Sequence, residues 1–197
     1  MESRILRTCG WGWVAIISVG LLVGSSPAQE QEAAPRLTVP YVPTPMDVVD
    51  TMLEMAKATK DDVVYDLGCG DGRIVITAVK MFGAKGIGID IDPERIKEAE
   101  ANAQTQGVSG KVTFKLEDLF EANISEASVV TLYLLPSLNL KLRPKLWKEL
   151  KVGTRIVSHA FDMGDWEPEQ HLEVDGRNVY FWTITEDVKK KAATGGQ

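Results

Sequence analysis

The chain has 197 residues, of which 44% are hydrophobic and 25% are charged, and its net charge at pH 7 is -6. This composition is typical of one folded globular domain and excludes a disordered or collagen-like chain. An acidic chain whose body has no run of Lys and Arg is not expected to hold nucleic acid through phosphate contacts. The two cysteines, Cys9 and Cys69, and the two histidines, His159 and His171, form neither a disulfide framework nor a set with metal-ligand spacing, so no metal site is predicted.

The first 28 residues predict a secretory signal or a membrane anchor. Two basic residues, Arg4 and Arg7, precede an apolar run over residues 11–24, and small residues follow it as far as Ala28. This order is typical of a signal peptide that is cut after Ala28. The alternatives are an uncleaved anchor that associates with the membrane through the apolar run, and a buried helix. Because the arginines stay inside in both membrane interpretations, we expect the domain that follows to be exported or to face outward.

Residues 41–186 are predicted to form one α/β domain, preceded by a linker over 29–40 and followed by a flexible tail over 187–197. Hydrophobic runs and turn residues predict strands that alternate with helices. This order is typical of a Rossmann-like, doubly wound and mostly parallel sheet, here of seven strands with a C-terminal antiparallel hairpin. Pro144 falls inside the last predicted helix and predicts a kink or a late start there. In chain order, the predicted elements are helix 46–58, strand 63–67, helix 73–82, strand 85–91, helix 93–106, strands 111–116 and 127–135, helix 137–153, and strands 154–161, 171–174 and 179–184.

The stretch VVYDLGCGDGRIV, residues 63–75, predicts a ligand-binding turn between the first strand and the second helix. In a doubly wound sheet, ligands bind where the strands end and the winding reverses. The three glycines of this stretch allow the backbone to approach a ligand closely and to adopt angles that other residues avoid. A plain tight turn is the alternative, because a glycine loop alone is a weak signal.

The residues around these glycines favour a cationic ligand over a dinucleotide. A dinucleotide fingerprint requires a glycine three residues after Gly70, where this chain has Arg73, so an oxidoreductase is disfavoured. Asp66 precedes the turn, and an acidic turn attracts a positively charged ligand such as S-adenosylmethionine, which carries a sulfonium and an ammonium group. Asp90 follows the second strand, where it can bind ribose hydroxyls, and Asp118 follows the third, where it can accept a hydrogen bond from an adenine amino group. Each acid alone is more often a helix cap or a turn residue, but three at successive strand ends favour the cofactor.

The motifs YDLGCGDGR, GIGIDID and KLEDLF resemble the cofactor motifs of class I S-adenosylmethionine-dependent methyltransferases, and the resemblance extends over residues 41–184. More narrowly, YVPTP and LYLLPSLNLKLRPKL are similar to a family of protein-lysine methyltransferases. That family includes a broad-specificity archaeal enzyme and mitochondrial enzymes acting on the ATP synthase c subunit and the adenine nucleotide translocase. The resemblance implies S-adenosyl-L-methionine as cofactor and an N-terminal lid that contains Tyr41 and Thr44. The cofactor-binding residues that it implies are Tyr41, Thr44, Asp66, Gly68, Cys69, Gly70, Asp71, Gly72, Asp90, Ile91, Asp118 and Leu119.

The residues after the fourth and fifth strands are candidates for the methyl-acceptor side. Tyr133 is placed to offer a ring face or a hydroxyl to the reacting nitrogen, and a core aromatic is the alternative. Asn139 is a second catalytic candidate, although its position also suits the start of a helix. His159 and Asp162 end the fifth strand at the same edge, and His159 is expected to titrate near neutral pH. The sequence lacks the Asp/Asn-Pro-Pro-aromatic motif of many amino-group nucleic-acid methyltransferases, so a nucleic-acid partner is not expected.

The predicted function is S-adenosylmethionine-dependent transfer of a methyl group to a protein lysine. Only the neutral amine can attack the methyl group, and a pocket that desolvates the ammonium favours that form. Export conflicts with this function because the methyl donor is made inside cells. An exported nucleoside-binding module without catalysis is therefore an alternative, as are methylation of a small molecule or nucleic acid and a domain that faces the cytoplasm. The sequence predicts neither the acceptor protein nor the oligomeric state.

Overall fold

The computed structural model describes residues 41–194. The predicted signal or anchor over 1–28 and the predicted linker over 29–40 lie outside the described residues and stay predictions. Within the described range, no helix is long and apolar enough to cross a membrane.

Helices and strands alternate along the described residues as the hydrophobic pattern predicts. Helix α2 begins after Gly72 and ends at Gly83, two glycines in the left-handed conformation. Helix α3 begins at Pro93, where a missing N–H costs no helical hydrogen bond, and the preceding Asp92 side chain caps it by accepting from the Glu94 amide. The elements are α1 (Met46–Met55), β1 (Val63–Leu67), α2 (Arg73–Phe82), β2 (Lys85–Asp90), α3 (Pro93–Thr105), β3 (Val112–Leu116), β4 (Val129–Leu132), α4 (Pro136–Glu149), β5 (Arg155–His159), β6 (Gln170–Val174), β7 (Arg177–Thr183) and α5 (Glu186–Ala193).

The seven strands form one sheet in the order β3-β2-β1-β4-β5-β7-β6. The strands from β3 to β5 are parallel, and the β6–β7 hairpin joins β5 in the antiparallel direction. The predicted fold class, a doubly wound sheet with a C-terminal hairpin, is therefore confirmed. The winding reverses between β1 and β4, whose last paired residues are Leu67 and Leu132. The carboxyl ends of these two strands open side by side, at the edge where folds of this class bind ligands.

Side chains of the central strands alternate between two apolar layers. On one face, Val64, Val129 and Val157 pack with residues of α1 and α2. Because alternate residues share a face, Asp66 and His159 lie on the α1 side, two residues beyond Val64 and Val157. The layer on the opposite face includes Tyr65, Leu67, Val130, Leu132, Leu142, Leu146, Trp147, Ile156, Trp182 and Val188.

Residues 186–193 form helix α5, so the prediction of a flexible tail over 187–197 is wrong for the described part of that segment. The Thr185 side chain caps this helix by accepting a hydrogen bond from the Val188 amide at 3.2 Å. Val188 is buried in the layer formed with α4. The lysine-rich sequence concealed this helix because a single apolar residue makes its main buried contact.

Lys189 fastens α5 to the end of α4. Its ammonium donates to the carbonyl oxygens of Trp147, Lys148 and Leu150 at 2.9, 2.8 and 2.9 Å. The last carbonyls of a helix have no helical N–H partner, and a cation at this end also complements the helix dipole. The contact therefore satisfies the C-terminus of α4 with a side chain from the next helix.

Two predicted bounds changed for physical reasons. Helix α4 begins at Pro136 and continues through Pro144, so the predicted late start is wrong. A proline removes the hydrogen bond of its own nitrogen, which leaves the rest of this helix in place. Strand β4 ends at Leu132 because residues 133–135 leave the sheet and lead into α4. These three residues consequently lie at the open edge beside the glycine turn.

We predict that Gly88→Ala lowers the free energy of unfolding by about 1–3 kcal/mol through overpacking. A Cβ at this position in β2 would lie 2.6 Å from Cδ1 of Phe114 and 2.8 Å from Sγ of Cys69. Denaturant unfolding measures the change, and Gly110→Ala is the matched control because no atom lies within 4 Å of a Cβ there. Equal losses in the two variants would contradict the close contact between β2 and β3.

Candidate active site

The turn between β1 and α2 depends on glycine. Gly68, Gly70 and Gly72 have φ angles of 87°, 53° and 78°, a left-handed region that residues with a Cβ disfavour. The amides of Gly68 and Cys69 both donate to the carbonyl of Ile89, at 2.8 and 3.0 Å. The turn is therefore tied to the end of β2 and stays at the edge where β1 and β4 end.

Asp90 holds two backbone segments around the same edge. Its Oδ2 accepts from the Gly70 amide at 2.9 Å, and its Oδ1 accepts from the Asp92 amide at 3.0 Å. Each carboxylate oxygen can accept more than one hydrogen bond, so the half-exposed side chain keeps capacity for ligand hydroxyls. The position matches the predicted role in binding ribose, which stays a prediction.

Asp66 is a buried carboxyl group at the centre of the site. It is 3% exposed, and the Thr131 hydroxyl donates to its Oδ1 at 2.8 Å. Its Oδ2 has no hydrogen-bond partner among residues 41–194. Burial, with smaller contributions from the charges of Asp90 and Asp71, raises the pKa of Asp66 from 3.8 to about 8, against the hydrogen bond from Thr131. A cation bound beside these three carboxyl groups would be stabilised, and it would favour the ionised form of Asp66.

The Asp71 side chain is committed to Arg73. The guanidinium donates to both carboxylate oxygens, with Nη2 2.6 Å from Oδ2 and Nε 2.9 Å from Oδ1. Burial opposes ionisation of Asp71, but the hydrogen bonds and the charge of Arg73 outweigh it and hold the pKa of this carboxyl below its usual value. Arg73 also donates from Nη1 to the Thr44 carbonyl at 2.9 Å. The arginine that disfavours a dinucleotide turn therefore fastens the N-terminal segment to the glycine turn.

Residues 41–45, which we call the strap, lie over the glycine turn. The Tyr41 ring packs so closely on Gly70 that a Cβ there would lie 2.3 Å from Cε2 of the ring. The Arg95 guanidinium stacks on the Tyr41 ring, 4.7 Å from its centroid. Further along the strap, Oγ1 of Thr44 lies 3.2 Å from Nδ1 of His159. The strap thus joins the glycine turn to the end of β5, as the predicted lid position requires.

Tyr133 and His159, which we call the aromatic pair, form the other half of the site. They follow β4 and end β5, and their ring centroids are 3.9 Å apart. The Phe161 ring is stacked beyond Tyr133, with a centroid separation of 6.4 Å. Tyr133 is half-buried, so part of its surface stays open at the edge. The structure therefore brings together the two residues that sequence reasoning placed at adjacent strand ends.

The expectation that His159 titrates near neutral pH is wrong. The residue is 2% exposed. Burial and the charge of Arg177 lower the pKa of His159 to about 4, although the charge of Asp47 opposes this shift. The imidazole is therefore neutral at physiological pH. Sequence reasoning could not see this because the strap that buries the ring lies 115 positions away in the chain.

Asn139 lies in the first turn of α4 with a fully buried side chain. Its Nδ2 is within 3.3 Å of Ser158 Oγ and 3.2 Å of the carbonyls of Phe161 and Asp162. These bonds tie α4 to the segment after β5, as suits the helix-start interpretation. A catalytic role for Asn139 stays a prediction, with its nitrogen already occupied.

The remaining predicted residues line the adenosine side. Asp118 is exposed, and its Oδ1 accepts from the Phe120 amide at 2.9 Å. Ile91 is exposed, Leu119 is half-buried, and Cys69 is buried, which raises the pKa of its thiol. Their contacts with a cofactor stay predictions.

Sequence reasoning missed two contributors to the site, Thr131 and Arg95. Thr131 had a signal, since it is the polar residue within the apolar run of β4, and its register opposite Asp66 explains it. Arg95 had no signal, because a cation on an exposed helix is ordinary and only the fold places it over the Tyr41 ring.

A family model and two curated proteins match this chain. The family model, the ANTKMT methyltransferase domain, matches residues 66–170. The protein-lysine N-methyltransferase of Saccharolobus islandicus (strain REY15A) is 52% identical over 153 residues, which are 75% of this chain and 95% of that protein. A human lysine N-methyltransferase, named for the c subunit of ATP synthase, is 29% identical over 182 residues, which are 89% of this chain and 76% of that protein.

A solved structure is also similar. It is an RNA methyltransferase from Salinibacter ruber in complex with S-adenosyl-L-homocysteine, 58% identical, with a TM-score of 0.73. The match covers 74% of this chain and 95% of that chain. The names of these relatives therefore agree on methyl transfer and differ on the acceptor.

We predict that Asp66→Asn raises the melting temperature, and that the increase is larger at pH 8 than at pH 5. Between pH 3.8 and about 8, the native state holds a proton on Asp66 that the unfolded state has lost, so this group lowers stability as pH rises. Asparagine does not titrate and can still accept from Thr131, which removes that loss. Calorimetry of the ligand-free protein at both pH values measures the difference.

Asp71→Asn is the matched control for this measurement. The pKa of Asp71 is lowered in the folded protein, so its charge contributes stability above the unfolded value of 3.8. The control variant should therefore melt at a lower temperature at both pH values. A lower melting temperature for Asp66→Asn at pH 8 would contradict the raised pKa of the buried carboxyl.

Proposed function

This chain belongs to the ANTKMT methyltransferase family, and from that premise we propose that it transfers a methyl group from S-adenosylmethionine to the amine of a protein lysine. The resemblance identified in the sequence is confirmed, and the chain is an S-adenosylmethionine-dependent methyltransferase. The family model spans the segment from Asp66 to the start of β6, which holds the glycine turn and the aromatic pair.

The residues of the site fit this cofactor. Oδ2 of Asp66, which accepts no hydrogen bond from residues 41–194, lies among three carboxyl groups, where an ammonium group is favoured. Asp90 would hold the ribose hydroxyls, and Asp118 would accept from the adenine amino group. The bound cofactor supplies an electrophilic methyl group on a sulfonium. The protein supplies orientation and exclusion of water, which account for most of the rate enhancement in such a displacement.

The observation that carries the lysine assignment is the neutral aromatic pair beside the glycine turn. A lysine ammonium has a free pKa of about 10.4, and it must lose a proton before the amine can attack. An apolar, aromatic environment penalises the charged form and so lowers that pKa. The face of Tyr133 also offers a cation–π contact to the ammonium as it enters. The Saccharolobus islandicus relative, at 52% identity, supports lysine as the acceptor.

RNA is the second candidate acceptor, because the Salinibacter ruber relative is an RNA methyltransferase. Recognition of RNA relies on clustered cations and on aromatic rings that are free to stack on bases. This chain carries a net charge of -6. The large exposed side chains near the edge include Met46, Leu135 and Leu140, which suit the apolar core of a protein interface better than a phosphate backbone. These features favour a protein acceptor.

Radiolabelling tests the acceptor class directly. We expect the purified chain and methyl-tritiated S-adenosylmethionine to label a cell extract in a protease-sensitive fraction that yields Nε-methyllysine on hydrolysis. Label that ribonuclease removes, or label on purified total RNA, would instead support the RNA acceptor and contradict ours.

The control variant for this assay is Asp90→Ala. The substitution removes the acceptor of the Gly70 amide and the predicted ribose ligand, so cofactor affinity should fall at least tenfold by calorimetry, the equivalent of about 1.4 kcal/mol. Methyllysine formation at low cofactor concentration should fall in parallel. Unchanged affinity would contradict the cofactor site proposed at this edge.

A further inference from the structure

The His159 ring has one nitrogen engaged and one open. Nδ1 lies 3.2 Å from Oγ1 of Thr44. Nε2 has no hydrogen-bond partner among residues 41–194, yet it is not one of the polar atoms in that range that are both sealed from solvent and unpaired, as Oδ1 of Asn139 is. A buried imidazole normally uses both nitrogens, so an open Nε2 at the active edge indicates a partner that arrives with the substrate.

The surroundings fix the position of this open nitrogen. The ring ends β5, directly beside Tyr133 at the end of β4, and the two rings are in contact at a centroid distance of 3.9 Å. Thr44 is itself 4% exposed and is held by the hydrogen bond from Arg73 to its carbonyl. The ring is therefore clamped from the strap on one side and by Tyr133 on the other, and rotation would break both contacts.

A general-base role does not suit this imidazole. Its pKa of about 4 makes it a weak acceptor for a proton from an ammonium group. A neutral imidazole nevertheless accepts a hydrogen bond at one nitrogen when the other carries the proton. Because the Thr44 hydroxyl can accept from Nδ1–H, the tautomer with a free lone pair on Nε2 is compatible with the observed contact.

We propose that His159 accepts a hydrogen bond at Nε2 from the substrate amine and so directs the nitrogen lone pair toward the methyl group. Thr44 acts as a positioning residue that selects the Nδ1–H tautomer. The inference deepens the proposed function, since it rests on lysine as the acceptor. In the transfer, the nitrogen lone pair forms the new N–C bond, the C–S electron pair stays on sulfur, and the resulting ammonium loses one proton to solvent.

This arrangement makes the number of N–H groups on the acceptor a determinant of specificity. A neutral lysine amine has two N–H groups, a monomethylated amine has one, and a dimethylated amine has none. The hydrogen bond to Nε2 is therefore available for the first and second transfers and not for the third. We expect mono- and dimethyllysine to accumulate ahead of trimethyllysine.

Nitrogen NMR of the free protein tests the tautomer without any acceptor. The chain contains two histidines, and His171→Asn assigns the signals by removing one. We expect His159 to carry its proton on Nδ1, to shift toward the Nε2–H form in Thr44→Val, and to keep the wild-type form in Thr44→Ser. Addition of n-butylamine to the protein loaded with S-adenosylhomocysteine should move the Nε2 resonance saturably. An Nε2–H tautomer in the wild type, or an Nε2 resonance that n-butylamine leaves unmoved, would overturn the proposal.

Kinetics of His159→Phe test the specificity. Phenylalanine keeps a ring against Tyr133 and removes both nitrogens, and the melting temperature and S-adenosylhomocysteine affinity check that the fold and cofactor site survive. We expect kcat/KM on unmodified lysine to fall roughly 2- to 10-fold, the worth of one hydrogen bond, and kcat/KM on dimethyllysine in the same acceptor to stay within about twofold. Equal losses on both acceptors would indicate a structural role and overturn the assignment.

The two proposals fail in different ways. If the wild type produced no methyllysine in any protein, the proposed function would fail while the NMR experiment could still give the expected tautomer and the expected response to n-butylamine. If methyllysine formed and the tautomer were Nε2–H, the role of His159 alone would be wrong.

Discussion

The parallel pairing of β1 with β4 is the constraint on which the site depends. It aligns Asp66 with Thr131 in register, and it starts the glycine turn and the Tyr133 segment side by side. The two segments are in contact, since a Cβ on Gly68 would lie 3.0 Å from Cδ2 of Leu134. A slip of one residue would turn Thr131 to the opposite face of the sheet and leave the buried carboxyl of Asp66 without its donor. The same pairing therefore determines the cofactor half of the site and its distance from the acceptor half.

The strap connects these two halves through a short series of polar contacts. Asp71 pairs with Arg73, Arg73 donates to the Thr44 carbonyl, and the Thr44 hydroxyl meets His159, which packs on Tyr133. Each neutral hydrogen bond contributes only about 1 kcal/mol net, and the bidentate ion pair is the stronger member of the series. The position of the acceptor-side rings is thus coupled to the charge state of the cofactor turn, because a change at Asp71 reaches His159 through two intervening residues.

Most of the fold could be predicted from the sequence because its signals are local. The alternation of β-branched runs with capped helices determines the class, and the turn of residues 63–75 identifies the ligand edge. Contacts between distant segments were out of reach: the burial that shifts the pKa of His159 comes from the strap, and α5 is helical because Val188 and Lys189 meet α4. Thr131 lies between these cases, since its polarity within β4 was visible and its partner was not.

Lys189 has an unusual position in an enzyme that acts on lysine. All three of its N–H groups have carbonyl acceptors at the end of α4, so a methyl group would replace a donor that the fold uses. Its lone pair can be exposed only if α5 separates from α4. Lys190 and Lys191 follow it and are exposed. The chain is therefore protected from its own chemistry at a lysine whose modification would loosen α5, while the two neighbouring lysines can accept methyl groups without structural cost.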